Sequence, residues 1–197
     1  MSIAPQKVVL ASGNQGKLGE FFRILGGAGF EIVAQSEYNV PDIDETGLTF
    51  VENAILKARN AAKITGLPAL ADDSGVEVDA LKGQPGIYSA RYSGEGDDAN
   101  NRKLLQALAG LPDEQRTARF RCCIVFMRHG DDPSPLIADA SWEGRILHKL
   151  SGVNGFGYDP LFYVPTHKTS SAELDPDEKN AISHRGQALQ HILKLMS

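Results

Sequence analysis

The first residues suited to chemistry are 12–17, in which two glycines, a serine hydroxyl and a lysine lie close together. An apolar run over residues 8–11 predicts a buried strand before them, and residues 16–26 predict a helix after them. A loop between a strand and a helix presents backbone N–H groups to an anion, and Lys17 adds a positive charge. The GxxxxGK[ST] spacing of a P-loop is absent. The stretch therefore suggests phosphate or nucleotide binding, with a tight turn and a surface lysine as the alternative.

A second candidate is the pair Asp72-Asp73, which follows an apolar run over residues 67–71 that predicts a buried strand. Carboxylates at the carboxyl ends of strands in α/β sheets lie in the crevice where ligands bind. Mg²⁺ binds through one or two carboxylates together with substrate phosphate oxygens, so this pair suits it. An acidic turn is the alternative, since Asp, Ser and Gly favour turns. Glu45, in an acidic loop over residues 39–47, is either a further ligand or a solvated surface charge.

Residues 155–160 place two aromatic side chains between glycines and end in Asp-Pro. Glycine lets the backbone approach a ligand, and an aromatic ring that stacks on a base contributes about 1–3 kcal/mol. A packed aromatic corner is the alternative. Asp159 precedes a proline, which holds it extended, so it could orient a neighbour or bind a hydroxyl.

His184 and Arg185 lie at the predicted start of the last helix. The helix macrodipole does not favour cations there, so two of them suggest an anion or a carbonyl-rich ligand opposite. Lys179 lies close enough in sequence to join them. An exposed His-Arg pair is the alternative.

The elements that must position these residues alternate between strand and helix in the first half of the chain. A helix is predicted to begin at Thr49, with Glu52 completing a capping box, and to end at Gly66. Its polar face carries Asn53 and Lys57, which are neighbours four residues apart. The other predicted elements are strands over 7–12, 31–33, 76–78, 118–128, 136–140 and 161–164, and helices from Asp97 or Asp98 to Gly110, from 175 and from 183. This order predicts an α/β fold with a mixed sheet, parallel in its first half and antiparallel over 117–164.

Composition narrows the class of protein. The 197 residues fit one domain, and the 42% apolar content is enough for a substantial core. The net charge of −5 disfavours a nucleic-acid binder. No apolar run is long enough for a membrane span, and the first seven residues lack a signal-peptide pattern. Cys122 and Cys123 are adjacent and point to opposite faces of a strand, which predicts core thiols of a cytoplasmic protein.

Together these segments resemble the Ham1/RdgB family of inosine/xanthosine triphosphate pyrophosphatases. The resemblance extends over the full chain and rests on seven motifs in a fixed order. They are Ser12-Gly13-Asn14 with Lys17, Glu45-Thr46-Gly47, Glu52-Asn53-Ala54 with Lys57-Ala58, Ala71-Asp72-Asp73-Ser74-Gly75, residues 85–92, residues 155–160, and Ser183-His184-Arg185. Ser12 stands where the family often has Thr, which keeps the hydroxyl.

The resemblance implies one Ham1-like nucleoside triphosphate pyrophosphatase domain over residues 1–197. Its fold would be Maf/Ham1-like α/β, an elongated mixed β-sheet flanked by helices, with two lobes and a central cleft. Its activity would be Mg²⁺-dependent conversion of dITP, ITP and XTP to the monophosphate and pyrophosphate, in a homodimer. Asp73 would be proton acceptor and metal ligand, Glu45 a metal ligand, and Asp72 is left open as another. The residues implied to bind substrate are Ser12, Gly13, Asn14, Gln15, Gly16, Lys17, Lys57, Ser74, Phe156, Gly157, Tyr158, Asp159, Lys179, His184 and Arg185.

Selectivity for these bases has a separate rationale. Inosine and xanthosine carry a 6-oxo acceptor where adenosine carries an amino donor. A donor from His184, Arg185 or the backbone would favour the oxo group, because an amino group there leaves a buried donor unpaired. The rival interpretations are a Maf-like nucleotide pyrophosphatase with another base preference, and a nucleotide sensor without activity, which a Mg²⁺ requirement for turnover would exclude. No chemical role is assigned to Arg91.

Overall fold

The computed structural model describes residues 6–26 and 29–196. The strands are β1 (Gln6–Leu10), β2 (Phe30–Ala34), β3 (Ala69–Val78), β4 (Thr117–Met127), β5 (Leu136–Ile146), β6 (Phe162–Val164) and β7 (Thr169–Ser170). The α-helices are α1 (Gln15–Leu25), α2 (Phe50–Thr65), α3 (Asp97–Ala107), α4 (Pro176–Ile182) and α5 (His184–Met196). The strands form one sheet in the order β2-β1-β3-β4-β5-β6-β7. β1 pairs in parallel with β2 and β3, whereas β6 is antiparallel to β5 and β7, which confirms the predicted mixed α/β sheet.

The chain divides into two compact units. The first contains the described residues of Met1–Asp73, Cys122–Asp139 and Gly186–Ser197, and the second contains Ser74–Arg121 and Ala140–Arg185. Each unit has its own hydrophobic core. The division falls within β3, between the consecutive residues Asp73 and Ser74.

The core of the first unit contains an alanine face of α2. Small side chains let a helix approach a sheet closely, and here they meet apolar residues of β1, β3 and β4. The buried members from α2 are Ala54, Ala58, Ala61 and Ala62, and those from the strands include Val9, Ala69, Ala71, Cys123, Val125 and Met127. This packing fixes the side of α2 that carries Asn53 and Lys57.

The residues that cap α2 are those predicted from the sequence, but one hydrogen bond of the cap differs from the prediction. The hydroxyl of Thr49 accepts from the N–H of Glu52 over 3.3 Å, and Gly66 ends the helix at φ 67°. The carboxylate of Glu52 accepts from the N–H of Leu48 over 2.8 Å as well as from the Thr49 hydroxyl. The predicted capping box therefore reaches one residue further back than the usual pattern.

The core of the second unit includes a group of aromatic side chains among its aliphatic ones. It contains Phe120 of β4, Trp142 of β5 and Phe162 of β6, with the Phe120 and Phe162 rings 4.4 Å apart between centroids. Tyr158 is also buried here, and its hydroxyl donates to the carbonyl of Ser89 over 2.9 Å. Burial raises the pKa of Tyr158 well above its ordinary value.

Three predicted boundaries are wrong. Residues 69–78 form one continuous strand, β3, where the sequence predicted two separate strands over 67–71 and 76–78. Helix α3 is capped by Gly96 at φ 92°, so Asp97 and Asp98 lie in its first turn, where carboxylates favour the macrodipole. Strand β5 continues to Ile146, six residues beyond the predicted end. At β3, strand pairing in the sheet overrides the preference of Asp, Ser and Gly for turns, because tertiary contacts outweigh local propensity.

Candidate active site

Residues 12–17 form the expected loop between β1 and α1. Asn14 caps α1, and its Oδ1 accepts from the N–H of Lys17 over 3.0 Å. The Ser12 hydroxyl accepts from the N–H of Asn14 over 3.2 Å. Ser12 and Asn14 therefore hold the loop in shape, which leaves Gly13 to provide close approach. A Cβ on Gly13 would lie 3.2 Å from the carboxylate of Asp42, tighter than most such contacts.

Asp72 lies inside β3, beyond the point where its neighbour β1 ends. The β1 pairing stops at Leu10 opposite Leu70, so the next residues of β3 extend past it. As predicted, the carboxylates of Asp72 and Asp73 lie beyond the carboxyl end of a parallel strand. That strand is the neighbour β1, because β3 itself continues to Val78. Lys17 lies 3.0 Å from Oδ2 of Asp72, a side chain that is fully buried. The thiol of Cys122 is 4.0 Å from the same oxygen.

Asp73 is the centre of the second group of charges, which we call the Asp73 cluster and define as Asp73, Glu45, Asn53 and Lys57. The Lys57 ammonium lies 3.2 Å from Oδ1 of Asp73 and 2.8 Å from Oε1 of Glu45. Asn53, whose side chain is fully buried, donates from Nδ2 to Oδ2 of Asp73 over 3.2 Å. Its Oδ1 accepts from the N–H of Gly47 over 2.8 Å. Glu45 is therefore part of an ion pair, and it is not the solvated surface charge that the sequence left as an alternative.

Two pKa values in the Asp73 cluster are shifted, and both shifts involve burial. Burial raises the pKa of Asp73 above its ordinary value, against the opposing effect of Lys57 and Lys17. Burial would lower the pKa of Lys57, but the negative charges of Asp73, Asp72 and Glu45 outweigh it and raise that pKa. The lysine is therefore charged at neutral pH, and the carboxylate is a stronger proton acceptor than an exposed aspartate.

The second unit holds a basic and aromatic group, which we call the His184 cluster and define as His184, Arg185, Lys179, Phe156, Phe120 and Trp142. His184 is buried, and its ring stacks on Phe120 at 4.7 Å and 12°. Arg185 is also buried and donates from Nη2 to the hydroxyl of Ser74 over 2.8 Å. The alternative of an exposed His-Arg pair is therefore wrong. Packing on the aromatic core holds the imidazole plane in a single orientation.

Asp159 organises the loop over residues 155–160. Its Oδ2 lies 2.6 Å from the ammonium of Lys179 and accepts from the N–H of Phe156 over 2.9 Å. Its Oδ1 accepts from the hydroxyl of Ser171 over 2.8 Å. Gly155 is at φ 76°, and a Cβ there would lie 2.1 Å from the Asp159 carboxylate. Of the two roles considered for Asp159, these contacts favour orienting its neighbours.

The Phe156 ring lies beside two cations of the His184 cluster. Its centroid is 5.2 Å from Nζ of Lys179 and 5.8 Å from Cζ of Arg185. Both distances suit cation–π attraction. The backbone of the next residue, Gly157, is tied to α3, since its N–H donates to Asp97 and its carbonyl accepts from Asn101, each over 2.8 Å.

The sequence missed several residues that shape these clusters. Asn53 was placed on a polar helix face, yet it is buried between Asp73 and Gly47. The sequence feature that could have placed Asn53 in the site is its position four residues before Lys57, which puts both side chains on one face of the helix. Phe120 and Trp142 carried no signal, because an aromatic residue on a strand is ordinary core. Residues 85–92 are explained structurally, with the Ser89 hydroxyl bonded to the N–H of Val76 and the carbonyl of Gly86.

Within the ranges that the structure describes, there is neither a metal site built from protein side chains alone nor a membrane-spanning helix. Over residues 6–26 and 29–196, no three or more His, Cys, Asp and Glu side chains are grouped so that they could hold a metal ion. In the same ranges, no helix has the length and apolarity needed to cross a bilayer. A metal that uses two carboxylates and substrate oxygens is compatible with the first finding.

Known proteins share this sequence and fold over nearly their full length. The model of the Ham1 family matches residues 8–195. The chain is 60% identical to the dITP/XTP pyrophosphatase of Thioalkalivibrio sulfidiphilus, covering 95% of this chain and 97% of that protein. It is 59% identical to the dITP/XTP pyrophosphatase of Vibrio cholerae, with 96% of each covered. Among solved structures, a HAM1 protein from Coxiella burnetii is 52% identical with a TM-score of 0.89, over 97% of this chain and 98% of that one.

Proposed function

The chain belongs to the Ham1 family, and we propose that it hydrolyses deaminated purine nucleoside triphosphates, such as dITP, ITP and XTP, to the monophosphate and pyrophosphate. Near-complete coverage at 60% identity to a curated dITP/XTP pyrophosphatase supports this activity. The observation that carries the proposal is the Asp73 cluster, in which a buried carboxylate is held by an amide on one oxygen and an ammonium on the other. We also propose, from the family resemblance, a single-domain cytoplasmic protein that works as a homodimer.

The phosphates are the first part of the substrate to place. A triphosphate carries roughly four negative charges, and positive groups must offset them for hydrolysis to proceed. We assign this role to the ammonium groups of Lys17 and Lys57 and to those N–H groups of the loop over residues 12–17 that do not hold the loop itself, since the N–H groups of Asn14 and Lys17 do. Lys179 belongs to the His184 cluster, where its ammonium lies 2.6 Å from Asp159 and 5.2 Å from the centroid of the Phe156 ring. We therefore place Lys179 with the base and sugar.

The carboxylates of Glu45 and Asp73 fit Mg²⁺, which prefers hard oxygen ligands and completes its shell with phosphate oxygens and water. Both point an oxygen at one ammonium, so the pair converges on a single position suited to a cation. When bound, the metal would supply Lewis-acid stabilisation of the phosphate oxygens. Asp72 pairs with a different ammonium, that of Lys17, and does not share the position on which Glu45 and Asp73 converge, which makes it the weaker candidate for a third ligand.

Asp73 is the residue that we propose as general base. Its raised pKa makes it a better proton acceptor than an exposed aspartate. The bond from the buried Asn53 amide fixes one oxygen of the carboxylate, which limits the directions from which a water can donate to it. Asp73 would accept the proton of that water as its oxygen attacks the anhydride between the α- and β-phosphates, whose P–O bond breaks so that the monophosphate and pyrophosphate are released.

The His184 cluster is proposed to read the base. The Phe156 ring offers a face for stacking, and His184 and Arg185 offer donors suited to a 6-oxo group. Arg185 already donates to Ser74, the residue that follows Asp73 in β3.

Pyrophosphate release from dITP, XTP, dGTP and ATP, with and without Mg²⁺, tests the proposed function. We expect Mg²⁺-dependent release from dITP and XTP, and far slower release from the other two. Equal release from all four would favour a Maf-like enzyme of other specificity. Binding of dITP without any release would favour the nucleotide sensor.

A further inference from the structure

Lys57 lies between the two carboxylates that we assign to the metal. Its Nζ is 2.8 Å from Oε1 of Glu45 and 3.2 Å from Oδ1 of Asp73. Bonds between an ammonium and a carboxylate are among the stronger hydrogen bonds of proteins. One ammonium therefore binds the same pair of oxygens that a divalent cation would share.

The other oxygen of Asp73 is held by a group that has little freedom. Asn53 lies one helical turn before Lys57 on α2, and its buried amide also bonds the N–H of Gly47. An amide on a short side chain with both ends engaged cannot shift without moving the backbone. The Lys57 ammonium, at the end of a flexible four-carbon stem, can leave by a change of rotamer.

The Asp73 cluster also needs a cation for electrostatic reasons. Carboxylates close together repel one another, and burial strengthens that repulsion. The side chain of Lys57 is only 16% exposed, and its ammonium lies within 3.2 Å of both carboxylates. Lys57 can therefore balance Glu45 and Asp73 in the metal-free protein.

We propose that Lys57 and Mg²⁺ compete for the same oxygens of Glu45 and Asp73, so that metal binding releases the Lys57 ammonium for the substrate phosphates. The inference rests on the proposed function, which makes those two carboxylates metal ligands. Because the metal must displace an ion pair, it binds weakly to the protein alone. A nucleotide that binds the released lysine strengthens metal binding, and the metal strengthens nucleotide binding by the same factor.

The test is the affinity of the full-length, nucleotide-free protein for Mn²⁺, a spectroscopic probe for Mg²⁺, measured by electron paramagnetic resonance of the free ion. Lys57→Met is compared with Lys17→Met, which removes a charge paired with Asp72, and with Lys63→Met, an exposed lysine of the same helix that pairs with Asp131. We expect Lys57→Met to bind Mn²⁺ about tenfold tighter or more, because bonds to charged groups are lost from the competing state. Lys63→Met should match the wild type, and Lys17→Met should show a smaller gain.

Two results would overturn the competition. One is an affinity of Lys57→Met that is equal to or weaker than that of the wild type. The other is a gain in Lys17→Met as large as that in Lys57→Met, which would make the effect one of general charge. Circular dichroism of each variant confirms that the comparison is made between folded proteins.

Glu45→Gln and Asp73→Asn separate this inference from the proposed function. If both weaken Mn²⁺ binding and Lys57→Met does not strengthen it, the metal assignment stands and the competition is wrong. If neither changes Mn²⁺ binding, the metal assignment in the proposed function fails, and the competition fails with it. A second readout is thermal: Mg²⁺ should raise the Tm of Lys57→Met more than that of the wild type, because tighter binding stabilises the folded state more.

Discussion

The buried amide of Asn53 donates to Oδ2 of Asp73 over 3.2 Å. The same amide accepts from the N–H of Gly47, at the end of the loop that carries Glu45. One side chain on α2 thus holds both the proposed general base and the segment that supplies the second proposed metal ligand. A buried polar group with both ends engaged is costly to remove, because its partners are left unsatisfied.

Asn53→Ala should therefore lower the free energy of unfolding by roughly 1–3 kcal/mol and reduce turnover of dITP. Asn60→Ala is the matched control on the same helix, because it removes an exposed bond to the carbonyl of Pro41. That change should cost less than about 0.5 kcal/mol. Urea unfolding and initial rates measure the two effects, and equal behaviour of the two variants would show that Asn53 does not position Asp73.

The buried ion pair between Lys179 and Asp159 predicts strong coupling. Removing one partner leaves a buried charge, so Lys179→Met or Asp159→Asn should each destabilise the protein by roughly 3–5 kcal/mol. The double variant should lose clearly less than the sum of the two, which a double-mutant cycle in urea measures. Additive losses would mean that the pair contributes no more than its separate contacts, of which Asp159 has two besides Lys179.

The role of His184 in base recognition can be separated from its packing. His184→Phe keeps a ring against Phe120 but removes both nitrogen atoms. If a nitrogen reads the 6-oxo group, this variant should lower the ratio of kcat/KM for ITP to that for ATP by about tenfold or more. His184→Ala, which loses the stacking as well, should lower it similarly. A ratio that stays at the wild-type value in His184→Phe would remove His184 from base readout.

The hydrogen bonds of the Glu173 carboxylate should make the free energy of unfolding depend on pH. Its carboxylate accepts from the N–H of Ser170 and the hydroxyl of Thr169, and these bonds lower its pKa from an ordinary 4.5 to about 2. A lowered folded-state pKa gives stability that is complete above about 4.5 and is lost as the pH falls towards 2.

The measurement is the free energy of unfolding against pH for the wild type and Glu173→Gln. The difference between the two should be constant above pH 4.5 and should shrink below it. A difference that stays constant down to pH 2 would contradict the assignment of that pKa.

The sequence predicted the sheet type and the caps of α2, because these depend on local patterns. It ended one strand at residue 71 and began another at residue 76, where the structure has the single strand β3. The turn-forming residues there are held extended by strand pairing, which no local pattern reports. The burial of Asn53 and the stacking of His184 on Phe120 were equally hidden, since both join residues distant in sequence. Motifs indicated the candidate residues, whereas only the fold showed which side chains lie beside them.

We propose that Asp73 is the general base of a pyrophosphatase. The direct test is pyrophosphate release from dITP by Asp73→Asn at saturating Mg²⁺, with dITP binding measured by calorimetry on the same protein. We predict that release falls by at least about 10²-fold, the low end of a general base's contribution, while dITP still binds. Release at the wild-type rate by a variant that binds dITP normally would contradict the claim and move the base to another residue.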